Sequence, residues 1–313
     1  MAPGYDTLEL CLLKSQCKGV TFLTEIPKFL TRLTMQGTSE FGPFISGKLG
    51  SLEVSISENR VKIKNSSLCK YYLGNSFQTL SRENAKSAVE KISDDIHLPF
   101  QIAEVTKIHL AQNFTMQFDE RLYYKYLGQA QYYKRLEQEN GLYYNNPKKQ
   151  LVFYGKLREQ KAKKEPIPEY YKNSYLLRLE GRLNKRVSQQ MNQPSITGKM
   201  LYDESFYGDL IKSYKKEYMS ISKIALKIDK MKPTGSIKEL IENFAHHTIM
   251  EIGQPNVLGL IKEWQSKSHI DKHQAHKLRK GIIELCSITN SEELRNELID
   301  ELDKKIIEAC QCW

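Results

Sequence analysis

From residue 174 to 185 the chain alternates apolar and polar residues almost one for one. In SYLLRLEGRLNK, Leu177, Leu179 and Leu183 take one set of positions, and Arg178, Glu180, Arg182 and Asn184 take the other. Side chains of a strand point alternately to its two faces, so this segment calls for a sheet with one apolar and one charged face. Residues 7–13, 52–56 and 60–64 show the same period, and 102–111 and 150–155 read as further strands. Gly50-Ser51 and Asn59 punctuate an antiparallel pairing, and Leu73-Gly74-Asn75 is a turn. Residues 27–36 read as a short helix opening on Pro27, and 81–96 as an amphipathic helix capped by Ser81. Residues 120–138 read as a long basic helix bearing tyrosines. Beyond about residue 195 the period changes to 3.6, with helices expected over 221–231, 237–250, 259–267, 272–286 and 291–310. The expected fold is α+β: an antiparallel or mixed sheet with helices on one face over residues 1–195, then a helical C-terminal domain over 196–313.

The chain carries 47 Lys and Arg against 37 Asp and Glu, a net charge of +10. That excess is local. Residues 121–190 hold 16 basic residues and six acids, all Glu, a difference equal to the charge of the whole chain, together with eleven of its 18 tyrosines. Cations neutralise phosphates and aromatic rings stack on unpaired bases, so the window suits a nucleic acid. It also suits a solvated basic face over a tyrosine-rich core. No apolar run approaches the roughly 18 residues of a membrane-spanning helix, and the opening segment lacks the pattern of a secretory signal. Six cysteines without a CxxC pair argue against a disulfide scaffold or zinc ribbon and for a reducing cytoplasm.

Arg178, Glu180 and Arg182 share one face of their strand. A carboxylate between two guanidiniums stays ionised and can hold a divalent cation while the arginines face phosphates. The same row suits an ion-pair ladder on an edge strand. No GxxxxGK[ST], HExxH or GxSxG occurs, which argues against P-loop, zincin and hydrolase chemistry. A metal-binding His-hydrophobic-His strand is also missing, and the adjacent His246-His247 on an expected helix read as structural. Tyr171 with Tyr175, and Tyr214 with Tyr218, have the i, i+4 spacing that would let two tyrosines act in turn, a spacing chance also supplies in a tyrosine-rich chain.

Three segments follow in order: KIHLA (107–111), YGKLRE (154–159) and RLEGRLNK (178–185). With the opening YDTLEL and the VKIKNSSLCKYYLGNSF stretch before them, they resemble the filamentous-phage gene II/X replication initiators over roughly residues 5–187. That family carries, in this order, a strand close to "RID", a "YxK…E" segment and an "RxExRxK" strand. The resemblance implies a palm- or RRM-like nuclease core. It implies rolling-circle initiation by metal-dependent nicking of one DNA strand, through a tyrosine that keeps the 5′ phosphate and frees a 3′ hydroxyl. It implies Tyr154 as nucleophile, with Lys156 lowering its pKa or steadying the departing oxygen. The implied ligands of an Mg²⁺ or Mn²⁺ ion are Glu180, Glu159 and His109; the last stands where the family has Asp, and it is either a ligand, a departure favouring Mn²⁺, or a packed strand histidine. Arg178 and Arg182 would clamp phosphates, and Lys148, Lys149, Arg158, Lys161, Lys163 and Lys164 would line the DNA path. The implied partners are origin DNA, single-stranded or supercoiled, and host helicase or polymerase, in the cytoplasm of a bacterial host and away from any membrane. The competing class is a non-catalytic origin- or operator-binding protein whose C-terminal helices carry the affinity.

Overall fold

The computed structural model describes residues 2–39, 42–224, 236–288 and 297–312. Its strands, in chain order, are β1 (Gly4–Leu13), β2 (Thr31–Ser39), β3 (Gly42–Leu49), β4 (Leu52–Ser57), β5 (Arg60–Ser67), β6 (Glu104–Met116), β7 (Leu127–Ala130), β8 (Lys134–Gln138), β9 (Gly141–Asn145), β10 (Lys149–Gly155), β11 (Tyr175–Leu183) and β12 (Ile221–Lys223). The helices are α1 (Phe22–Glu25), α2 (Leu68–Leu73), α3 (Arg82–Ile96), α4 (Glu120–Tyr124), α5 (Lys156–Lys163), α6 (Val187–Gln190), α7 (Glu204–Met219), α8 (Ile237–Ile252), α9 (Gln254–Ser266), α10 (Lys272–Ile288) and α11 (Glu297–Ala309). Ten strands form one sheet in the order β2-β3-β4-β5-β1-β6-β11-β10-β9-β8, and β12 pairs separately with β7. Neighbours throughout are antiparallel. The fold is α+β on an open antiparallel sheet.

The alternation that opened the sequence becomes two unlike faces. Leu8 and Leu10 (β1), Ile108 and Leu110 (β6), Leu177 and Leu179 (β11), and Leu151 and Phe153 (β10) are all buried on one face. Ala88 and Ile92 of α3, Leu210 and Ile211 of α7, and Leu302 and Ile306 of α11 belong to the same core. Each buried Leu, Ile or Phe side chain contributes roughly 1.5–3 kcal/mol on leaving water. Tyr214 of α7 donates its hydroxyl to the Leu179 carbonyl at 3.0 Å, and its ring takes the space left by Gly181, where an added Cβ would stand 3.0 Å from it. Helical residues on both sides of position 195 thus cover one sheet.

Three expected helices differ. Residues 27–36 make only a 3₁₀ turn (Ile26–Phe29) before the chain extends as β2. Pro27 suits the start of a turn, but the threonine-rich run after it favours a strand. Residues 120–138 form the five-residue α4 and then β7 and β8. Gly128 lets β7 approach β12, since a Cβ there would meet Ser222 Oγ at 2.5 Å, and Tyr132 (φ 67°) turns the chain between β7 and β8. The charges of β8 resemble a solvated helix in sequence but protect the exposed edge of the sheet. Ile221–Lys223 is strand β12, and the rest of the helix expected to 231 lies outside the described residues except Ile224. The helices expected over 237–250, 259–267 and 272–286 are present, as is the described part of 291–310. No helix of the described residues is long and apolar enough to cross a membrane.

Candidate active site

The other face of the sheet is polar. Register aligns Asn113, Ala111 and His109 of β6 with Arg178, Glu180 and Arg182 of β11, and these with Tyr154, Val152 and Gln150 of β10. At the Arg178 end, α2, α5 and the 73–80 loop lie over this face, so Arg178 is 0 % exposed and Glu180 3 %. At the other end Arg182 keeps 27 % of its side chain in solvent.

Glu180 is the hub. Its Oε1 accepts from the Tyr154 hydroxyl at 2.6 Å and from Arg178 Nε at 3.0 Å, and its Oε2 accepts from Arg182 Nε at 2.8 Å. Burial alone would raise the carboxyl's pKa, but the Arg178 and Arg182 charges override it and bring it down to about 2. Burial also pushes the Tyr154 phenol well above its usual value, against the opposing pull of Arg178. The resting pair is therefore a neutral phenol donating to an ionised carboxylate.

Arg178 is fixed on several sides. Its Nη1 donates to Asn113 Oδ1 at 3.1 Å and to the Phe77 carbonyl at 3.3 Å. Its Nη2 lies 3.3 Å from Asp6 Oδ1 in an ion pair but makes no hydrogen bond. Lys156, the first residue of α5, is 2 % exposed and donates to Glu159 Oε2 at 2.6 Å. Burial and the Arg178 charge both lower its pKa, with Glu159 acting the other way. His109 shares a 3.0 Å hydrogen bond with Asn184 Oδ1, and burial first, then Arg182, depress its pKa, so it is neutral near pH 7.

Tyr154, Glu180, Arg178, Arg182 and His109 thus share one sheet face, with Lys156 and Glu159 at the end closed by α5. Other expected site residues stand apart. Lys149 points to the helical face, where it pairs with Glu217 of α7 and lies over the Tyr133 ring. Arg158 is held by Asp119 and Glu120. Lys163 pairs with Glu159, while Lys148, Lys161 and Lys164 are exposed. Tyr214 and Tyr218 are buried under the sheet and Tyr171 packs on Phe77.

Sequence reasoning gave no role to three contributors, although YDTLEL resembles the family's opening Asp-bearing strand. Asp6 precedes the alternating run of β1, and a register shift between Tyr5 and Leu8 separates it from that alternation. Asn113 lay beyond the expected end of β6, which runs to Met116. The Phe77 carbonyl carries no side-chain signal at all. Gly155 also gains a reason: a Cβ there would stand 1.5 Å from Glu120 Oε1, on the side of β10 away from Tyr154.

As arranged, the three expected cation ligands do not make a donor set. Both Glu180 oxygens are taken by arginines and Tyr154, and Glu159 is taken by Lys156 and Lys163. Among the described residues no three of His, Cys, Asp and Glu are grouped to hold a metal ion. What the cluster presents is one guanidinium, Arg182, that reaches solvent beside an ionised carboxylate hydrogen-bonded to a phenol.

Comparison with curated proteins gives no match. Residues 45–206, just over half of the chain, match a family model that describes the N-terminal part of a phage replication-associated protein. That span runs from β3 through α7's first turn and includes His109, Tyr154, Glu180 and both arginines, while Asp6 precedes it. The chain belongs to this family of phage replication-associated proteins.

Proposed function

We propose that the protein initiates rolling-circle replication by cutting one DNA strand, with Tyr154 as nucleophile. The observation that carries this is the 2.6 Å hydrogen bond from its hydroxyl to a carboxylate clasped by two arginines. Tyr154 Oη attacks the scissile phosphorus, the P–O3′ bond breaks, and a 5′-phosphotyrosyl bond forms. The phenolic proton passes to Glu180. In the resting protein that transfer is uphill, because Glu180 is held at about 2 while the phenol lies high. A phosphodiester arriving at the partly exposed Arg182 shares that guanidinium's charge, which raises the basicity of Glu180 and brings the reacting atoms together. Arg182 then stabilises the charge gathering on the phosphoryl oxygens, while the buried Arg178 holds Glu180 in place. The departing 3′ oxygen takes a proton from Lys156, whose ammonium is already more acidic than usual.

The test is a covalent-adduct assay on supercoiled DNA bearing the replicon's own origin, run with Mg²⁺, with Mn²⁺ and with a chelator. The wild-type chain gives nicked circles with protein on the 5′ end, and Tyr154→Phe gives neither. An adduct that persists in Tyr154→Phe removes Tyr154 from the role. A second reading, DNA binding without cutting, has the burial of the phenol in its favour; it requires bound DNA and no nicks with the wild-type chain.

A further inference from the structure

β1 begins at Gly4, opposite Ala111, so residues 112–116 of β6 pair with β11 alone. Beside this stretch lies a groove of about 740 Å³ between the 77–84 segment and the turn at Tyr170-Tyr171. This is the size of a pocket that encloses a small organic ligand. Its walls offer the amides of Gln78, Asn84 and Gln112. Asn113 lines it too, with its amide already donating to Phe77 and accepting from Arg178, as does Arg82, ion-paired with Glu83 and Glu204. Its rim is aromatic: Tyr170 lies 4.4 Å, ring centre to ring centre, from Tyr171, which lies 5.0 Å from Phe77. Phe77 is buried, but Tyr170 is 75 % exposed. An aromatic ladder anchored in the core and ending in an exposed ring is a stacking platform rather than core packing. The groove is also tied to the reaction centre. The carbonyl of Phe77 accepts from both Asn113 (2.7 Å) and Arg178 (3.3 Å), so one residue of the ladder helps to place the guanidinium that holds Glu180.

The geometry points to this groove as the seat of an unpaired nucleobase of the DNA strand, stacked on Tyr170, with amides available to its polar edge. The base belongs to a nucleotide close to the cut phosphate, because Asn113 is at once a wall of the groove and a partner of Arg178. Amide side chains both donate and accept, so they can read a base edge, whereas the stacking ring accepts any base. The assignment rests on the nicking reading only for the identity of the strand.

The test uses the full chain carrying Tyr154→Phe, so that no cutting intervenes, and a single-stranded dT oligonucleotide with one 2-aminopurine. The expected result is quenching of the 2-aminopurine on binding. Tyr170→Ala removes the quench and weakens binding by about ten-fold, while Tyr170→Phe and Tyr170→Trp retain both. Because Tyr170 is exposed, the alanine variant keeps the fold, which its unfolding curve verifies. Absence of a quench in the parent chain, or a quench and affinity unchanged in Tyr170→Ala, overturns the proposal. An adduct assay on the chain with Tyr154 restored keeps the two readings apart. Tyr170-dependent quenching without any adduct sinks nicking and leaves the base seat standing; an adduct without Tyr170-dependent quenching does the reverse.

Discussion

Two regions of the basic window use the same residue types in opposite ways. On β10, β11 and the start of α5, Arg178 and Lys156 are almost wholly buried and each is bound to a carboxylate. Along the rest of α5 and its end, Lys161, Lys163 and Lys164 stand in solvent, as does Lys148 before β10. The first group is a clasp and the second a rim. The difference teaches that a count of charges does not give the charge presented to a polyanion. Part of the window's excess is spent on internal acids from outside it: Arg158 on Asp119 and Glu120, Lys149 on Glu217, and Arg178 in part on Asp6. The clasp should govern folding and chemistry together, and the rim should govern affinity alone.

The largest effect expected is in the clasp. Glu180→Gln leaves Arg178 buried without its main counter-charge, and breaking one side of a buried pair costs about 3–5 kcal/mol. Urea unfolding would show this as a lower midpoint. Removing both charges, as Arg178→Met with Glu180→Leu, should cost clearly less than Glu180→Gln alone; an equal or larger cost would show that the cluster is not held by charge pairing. The pH dependence has a definite sign. The folded-state pKa of Glu180 is depressed to about 2 from an ordinary 4.5. Its contribution is therefore fully present above the unfolded value and is lost as pH falls through the folded one. Wild type should lose stability relative to Glu180→Gln between about pH 4.5 and 2, and the two curves should converge there.

A smaller loss is expected at Gly155, between clasp and rim. Gly155→Ala places a methyl group 1.5 Å from Glu120 Oε1, so Glu120 and Arg158 must move. Such overpacking costs about 1–3 kcal/mol. Thermal unfolding of Gly155→Ala, with and without Glu120→Ala, checks the origin of the loss: Glu120→Ala should be less harmful in the Gly155→Ala background than in the wild type.

What could be read from the sequence follows from range. The alternation in 174–185 defined β11 and its two faces because each strand residue answers to its own face alone. Tyr154, Arg178, Glu180 and Arg182 then came together because β10 and β11 pair side by side. The hairpins of 120–145 were not legible, because charges on an edge strand and charges on a solvated helix look alike until the neighbouring strand is known. Asp6 and Asn113 were given no role for a related reason: each lies just outside a periodic run, and each joins Arg178 through pairings that cross β1, β6 and β11. The absence of an assembled cation shell among the described residues was not legible either. Sequence spacing placed acids near one another but could not show that arginines and lysines already occupied their oxygens.

The smallest effect on stability, and the sharpest division between the regions, belongs to the rim. Lys148, Lys161 and Lys164 are exposed and make no ion pair among the described residues. Changing all three to Gln should shift unfolding free energy by no more than about 0.5 kcal/mol per site. Binding should respond in another way. Each lysine that contacts a phosphate releases a counterion, so on a single strand its loss lowers the slope of log K against log salt by about 0.7. The triple variant should therefore bind a single-stranded oligonucleotide more weakly at low salt and approach wild type as salt rises. The matched control is Lys262, Lys272 and Lys277 changed to Gln, three exposed lysines of the C-terminal helices. If DNA lies across the polar face, the control keeps the wild-type slope. Equal losses from both triples would place the strand on the helices as well and end the division of labour between clasp and rim. Loss of stability without loss of slope in the rim variant would show that these lysines serve the fold, as Arg178 does.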